Sequence, residues 1–138
     1  MYVLDASVAL KWFFIDEIHP NAERILDEIL VNPGQFAVPE LFSFEVLAVL
    51  IRLHPEPLAV YRQGILPILS NGLLRYPMTE SLAEKAISLS KKRGLTGYDA
   101  TYAALAEEIQ GIWLTYDQKA HQLLKDTGLS LNLWEDSI

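Results

Sequence analysis

At 138 residues, with a hydrophobic fraction of 51% and a charged fraction of 21%, the chain has the apolar content of one compact domain and too much of it for a disordered segment. It contains no cysteine, which excludes a disulfide framework and a thiolate zinc site. The net charge of −7, from 11 basic and 18 acidic residues, argues against a broadly basic nucleic-acid-binding surface but leaves room for local basic patches.

Tyr2, Val3 and Leu4 are too short a run for a helix and rich in β formers, so a strand is expected there, ending at Asp5 with Ser7 placed to cap a following helix. A second helical stretch is expected from about Asn21 to Leu30, with apolar Ala22, Ile25, Leu26 and Ile29, closed by Asn32, Pro33 and Gly34. Phe36 to Val38 reads as the next strand, and Pro39 suits the first turn of a helix that carries Glu45 and ends near His54, where Pro55 and Pro57 follow. A further helix from about Leu58 should be kinked or stopped at Pro67.

Leu73 to Met78 includes a third strand. Thr79 opens a helix running to Lys91, Lys92, Arg93 and the terminating Gly94. Thr96 starts another, to about Gln110; Ile112 to Thr115 is a strand, Asp117 starts a short helix, and Leu129 to Trp134 is a last strand. Short, nearly all-apolar strands alternating with helices predict a parallel sheet covered on both faces, whose ligands bind beyond the carboxyl ends of the strands. No signal-peptide pattern opens the chain, and its longest strictly apolar stretch, Val46 to Ile51, is far short of the ~20 residues of a membrane span. A soluble cytoplasmic domain with no membrane attachment is therefore expected.

Four carboxylates stand at strand ends, helix starts or inside an apolar helix: Asp5 in YVLDAS, Glu45 in FSFEVLAVL, Asp99 in TGYDAT and Asp117 in WLTYDQ. Each has an ordinary explanation. Asp5 can prepare the following helix; Glu45 shares a face with Leu41, Ala48 and Arg52 and can be a solvated stripe; Asp99 sits at the capping-box spacing from Thr96; Asp117 is a good N-cap. Taken together, their βα placement predicts one acidic pocket for a divalent metal, with the Ser7 and Thr115 hydroxyls beside it. His19, His54 and His121 lack metal-ligand spacing, and neither a nucleophile-elbow glycine pattern nor a phosphate-binding glycine loop occurs.

In order and approximate spacing, the blocks LDASVALKWF, VPELFSFEVLAVL, LTGYDATYAALA and WLTYDQKA resemble those of the PIN-domain ribonucleases, especially the VapC-type toxins of toxin–antitoxin pairs, over essentially the whole chain. The resemblance implies a single PIN domain over residues 1–138: a three-layer α/β/α sandwich with a central parallel sheet, Mg²⁺ or Mn²⁺ as cofactor, and cleavage of RNA phosphodiester bonds. It carries over Asp5, Glu45, Asp99 and Asp117 as the catalytic, metal-binding quartet, with Ser7 and Thr115 in support, and it implies a homodimer inhibited by a cognate antitoxin. Such an ion can acidify a bound water and polarise a phosphate, which would leave 5′-phosphate and 3′-hydroxyl ends. Two further readings stay open on the same residues, a PIN nuclease of RNA processing that is not a toxin and a PIN-fold binding partner. A receiver-like Mg²⁺-binding signalling domain fits less well, because no lysine follows the last β-type run.

Overall fold

Five short strands, Tyr2–Leu4 (β1), Phe36–Pro39 (β2), Leu74–Tyr76 (β3), Ile112–Thr115 (β4) and Ser130–Asn132 (β5), form one sheet in the order β3-β2-β1-β4-β5, in a computed structural model that describes residues 1–138. Every pairing is parallel. The helices are Ala6–Leu10 (α1), Pro20–Val31 (α2), Leu41–Leu53 (α3), Pro57–Val60 (α4), Leu66–Ser70 (α5), Glu80–Arg93 (α6), Gly97–Glu108 (α7) and Gln118–Leu124 (α8). This is the expected α/β architecture, a parallel sheet flanked by helices. No helix is long and apolar enough to cross a membrane.

The strand order places the functional face. From β1 the chain winds outward through β2 to β3, then returns to the other side of β1 as β4 and β5. The neighbours β1 and β4, in register from Tyr2↔Ile112 to Leu4↔Leu114, therefore flank the point where the winding reverses, and their carboxyl ends diverge into a crevice. Asp5 and Asp117 follow these two strands.

Helix α7 runs along β4, β1 and β2, with α6 packed against it. Its residues Ala100 to Ala106 are all buried, as befits a helix enclosed between a sheet and another helix. The small side chains at 100, 103, 104 and 106 permit that close approach, which sets the amino end of α7 above the crevice. Thr79 and Thr96 cap α6 and α7 as read from sequence, accepting from Leu82 N and Asp99 N, and Gly94 ends α6 in the left-handed region with φ 74°.

Several boundaries differ from expectation. Pro39 ends β2 rather than opening α3: β2 pairs with β1 only through Ala37, so no ladder bond toward β1 is lost for want of a proline N–H. Glu40 precedes α3 and ties the neighbouring loop, its Oε1 accepting from Met78 N at 3.1 Å. The chain is not stopped at Pro67. A widened π turn at Tyr61–Ile65 lets the helical path continue, and Pro67 falls in the first turn of α5, where its missing N–H costs no bond. Gly64 within that turn lies against the Phe13 ring, which a Cβ would strike. The last strand stops at Asn132, whose Oδ1 accepts from Trp134 N and turns the chain out of the sheet.

Candidate metal centre

Asp5 leaves β1 in an extended conformation and is buried over the β1–β4 crevice. One of its oxygens, Oδ2, accepts from the Ser7 hydroxyl at 2.6 Å and from the Thr115 hydroxyl at 2.7 Å. Ser7 Oγ in turn accepts from Tyr116 N, and Thr115 Oγ1 from Asp117 N. Two backbone N–H groups beyond β4 thus feed through two hydroxyls into one carboxylate oxygen, fixing the orientation of Asp5. Its other oxygen, Oδ1, makes no hydrogen bond, and it is not among the sealed polar atoms without a partner, of which Trp113 Nε1 is the one. Burial pushes the Asp5 carboxyl from 3.8 up to about 7; the two hydroxyls oppose that rise, and repulsion from Glu45 and Asp99 adds to it.

Glu45 is half-buried one turn into α3, and its Oε1 accepts from the Tyr102 hydroxyl at 2.6 Å. Tyr102 is itself fixed, buried on α7 with its ring stacked on Trp113 of β4 at 5.7 Å and 5°. Burial and the two nearby carboxylates raise the Tyr102 pKa well above its usual value, so the phenol keeps its proton and donates it. Glu45 is raised by burial first and by Asp99 next, against the bond from Tyr102. The solvated-stripe alternative thus fails for Glu45. Its neighbour Phe44, which sequence grouped with the apolar residues around the acid, is instead 69% exposed.

Asp99 occupies the first turn of α7, but only the forward half of a capping box forms: Thr96 Oγ1 accepts from Asp99 N at 3.2 Å, and no reciprocal bond to the carboxylate is made. Its pKa is raised by burial and by Asp117, while the Thr96 hydroxyl lowers it. Asp117 does cap α8, its Oδ1 accepting from Ala120 N at 2.9 Å, so the ordinary explanation holds for one of its oxygens.

The four carboxylates are electrostatically linked. Glu45 and Asp99 act on Asp5, Asp99 on Glu45, and Asp117 on Asp99, each raising its neighbour's pKa. No three acidic or imidazole groups converge tightly enough to enclose an ion by themselves. Sequence reasoning named all four acids and both hydroxyls. It missed Tyr102, whose signal was a phenol three residues after Asp99, on a helix too apolar to solvate it.

An all-parallel sheet with Asp5 and Asp117 just beyond the strands that flank its switch point defines a doubly wound α/β domain. The chain belongs to the PIN-domain family: the PIN domain model matches residues 2–125. Members are typically nucleases and generally use divalent metals. No curated protein matches the chain in sequence. Its fold is similar to that of a chain in a toxin–antitoxin complex from Klebsiella pneumoniae, with a TM-score of 0.70 and 15% identity over all of both chains. FitAcB from Neisseria gonorrhoeae gives a TM-score of 0.75 and 18% identity, covering 99% of this chain and 100% of that one. Mycobacterium tuberculosis VapC20, described as a sarcin-ricin loop cleaving toxin, gives 0.63 and 19%, covering 88% and 94%.

Proposed function

We propose that this PIN domain is a Mg²⁺-dependent endoribonuclease, with Mn²⁺ able to substitute, and that it is the toxin of a toxin–antitoxin pair. The observation that carries the reading is Asp5, a buried carboxyl pushed to about 7, oriented through Oδ2 with Oδ1 free, among three further acids that raise one another. Carboxylates packed this way repel one another unless protons or cations neutralise them, and a site that gathers them at a ligand-binding crevice is built for a cation. Asp5 and Asp99 hold the ion, Glu45 binds it or orients the attacking water, and Asp117 takes a second or outer position. A bound divalent ion supplies an acidified water and a polarised phosphate. The protein's own contribution is orientation: Ser7 and Thr115 fix Asp5, and Tyr102 fixes Glu45.

Purified protein should cleave mixed structured RNAs in Mg²⁺. Chelation or Asp99→Asn should lower the rate at least ~10²-fold, since each loses several kcal/mol of charge stabilisation. Full activity in either case would overturn the assignment.

The toxin reading is supported by fold similarity to chains of toxin–antitoxin systems, one of them described as cleaving the sarcin-ricin loop. Co-expression with a small protein encoded immediately beside it should restore RNA integrity and growth; growth unaffected by the protein alone would leave a non-toxin PIN nuclease as the better reading. The aromatic run Trp12, Phe13, Phe14 packs against the core and is half-buried, so it does not offer the partner surface. Ile51, Leu53 and Leu58, each more than half exposed along α3 and α4, do, and they support a homodimer. Light scattering at micromolar concentration should give twice the 15.6 kDa chain mass; the mass of a single chain would exclude the dimer.

A further inference from the structure

An acidic crevice repels the substrate proposed for it. Removing the four site acids from the net charge of −7 still leaves −3, so the RNA backbone must find its positive contacts locally. Cations on the carboxyl-end face of the sheet are therefore informative.

Lys11 is one. It follows α1 and is only 9% exposed, an unusual state for a lysine without a counter-ion. The two ion pairs in the structure, Lys85–Glu108 and Arg93–Asp126, do not involve it. Its ammonium instead sits over two aromatic rings, 4.6 Å from the Tyr116 centroid and 4.5 Å from that of Trp134. These rings meet edge to face at 4.9 Å, and the Trp134 indole donates to Tyr116 O, so the cradle is rigid. His19 braces it, contacting both rings and pairing with the Tyr116 hydroxyl at 2.8 Å.

The cradle adjoins the acids. Tyr116 lies between Thr115 and Asp117, and its backbone N–H donates to Ser7, the residue that holds Asp5. Lys11 stands four residues after Ser7, at the carboxyl end of α1. Aromatic faces hold a cation without accepting its hydrogens. The ammonium makes no hydrogen bond, yet it is absent from the sealed, unpartnered atoms, which comprise Trp113 Nε1 alone, so it is not fully closed off from solvent. A purely structural clamp would be served by an arginine stacked flat or by a neutral side chain. What this cradle presents is a positioned point charge with unspent donors, beside a cleft of opposite sign.

We infer that Lys11 binds a backbone phosphate of the RNA, next to the scissile one on the β5 side of the crevice, and so positions the substrate. The inference rests on the ribonuclease reading and names a contact that reading does not supply. Lys11→Met keeps an apolar stem on the two rings and removes the charge; Lys11→Arg keeps the charge. For wild-type protein cleaving RNA in Mg²⁺, Lys11→Met should raise KM about tenfold with kcat within about twofold, and Lys11→Arg should recover most of the loss. The slope of log KM against log salt should flatten by about 0.7, the value for one phosphate contact on a single strand. In an Asp99→Asn background, where cleavage is removed, anisotropy of a labelled RNA should show the same weakening. Should Lys11→Met fail to fold, Lys11→Gln carries the same expectations.

Unchanged KM, binding and salt slope with only a lowered Tm would make Lys11 a clamp for Trp134 and overturn the inference while the nuclease stands. Absence of cleavage by wild-type protein would remove the nuclease reading instead, and RNA binding insensitive to Lys11 in the same preparation would remove both.

Discussion

Asp5→Asn should cost this protein about 10³-fold or more in metal-dependent cleavage while making its metal-free form more stable at pH 8. The two effects share one cause. Asn retains an oxygen to accept from Ser7 and Thr115 at the position of Oδ2, so the hydrogen-bonded support survives. What disappears is the charge on a buried group whose ionisation the fold opposes, first by desolvation and then by the repulsion of Glu45 and Asp99. A carboxyl shifted from 3.8 to about 7 is destabilised in its ionised form by about 4 kcal/mol, at 1.36 kcal/mol per unit. Recovering half of that would raise Tm by about 5–10 °C in a chain of this size. The same charge is what a divalent ion held by Asp5 would need, and several kcal/mol of lost metal stabilisation would correspond to the stated loss of rate. Thermal melts in chelator and single-turnover cleavage in Mg²⁺ check the two halves. A variant both less stable and inactive would mean that Asp5 is a structural residue, and one both stable and active would remove it from the site.

Such opposed effects separate residues that hold a fold from residues that the fold holds, and the sequence distinguishes the two only in part. Features decided within one turn of chain were legible. Thr79, Thr96 and Asp117 cap the helices that their spacing indicated, and the β4 span Ile112–Thr115 is the one its residues predicted. The placement of Asp5 and Asp117 just after β1 and β4 was legible for a different reason: alternating strands and helices imply a parallel sheet, and its ligand side follows from topology.

Contacts set by distant partners were not legible. Tyr102 meets Glu45 across 57 positions, and Glu40, just before α3, holds Met78 N across 38. Pro67 signalled a break, but the π turn that absorbs it lies upstream and depends on Gly64 fitting against Phe13. Lys11 carried no local signal, since nothing near it in sequence showed that Tyr116 and Trp134 would close over it.

The metal-free protein should lose stability as pH rises from about 4 to about 7, the reverse of ordinary acid denaturation, and Mg²⁺ should restore what is lost. The direction follows from the proton count. Between its unfolded value of 3.8 and its folded value of about 7, Asp5 is protonated in the native chain and ionised in the unfolded one. Stability therefore falls with pH in that window, because the unfolded state binds fewer protons. The contribution is complete below pH 3.8 and gone above pH 7. It amounts to about 4 kcal/mol for Asp5 alone, and Glu45 and Asp99, also raised, act in the same sense. Asp126, lowered by Arg93, acts oppositely, but it is fully exposed and its ion pair is a surface one.

A cation bound at these carboxylates replaces the proton, so its apparent affinity should rise about tenfold per pH unit below 7 for each proton displaced and level off above. Melts from pH 5 to 8, in chelator and in millimolar Mg²⁺, should accordingly converge at the acid end and separate at the alkaline end. Curves that fall with pH but ignore Mg²⁺ would leave four clustered acids with no metal to hold, the behaviour of a PIN fold that serves only as a binding partner. Divergence at the alkaline end that vanishes in Asp5→Asn would tie the metal to the carboxylate whose burial makes the site costly without it.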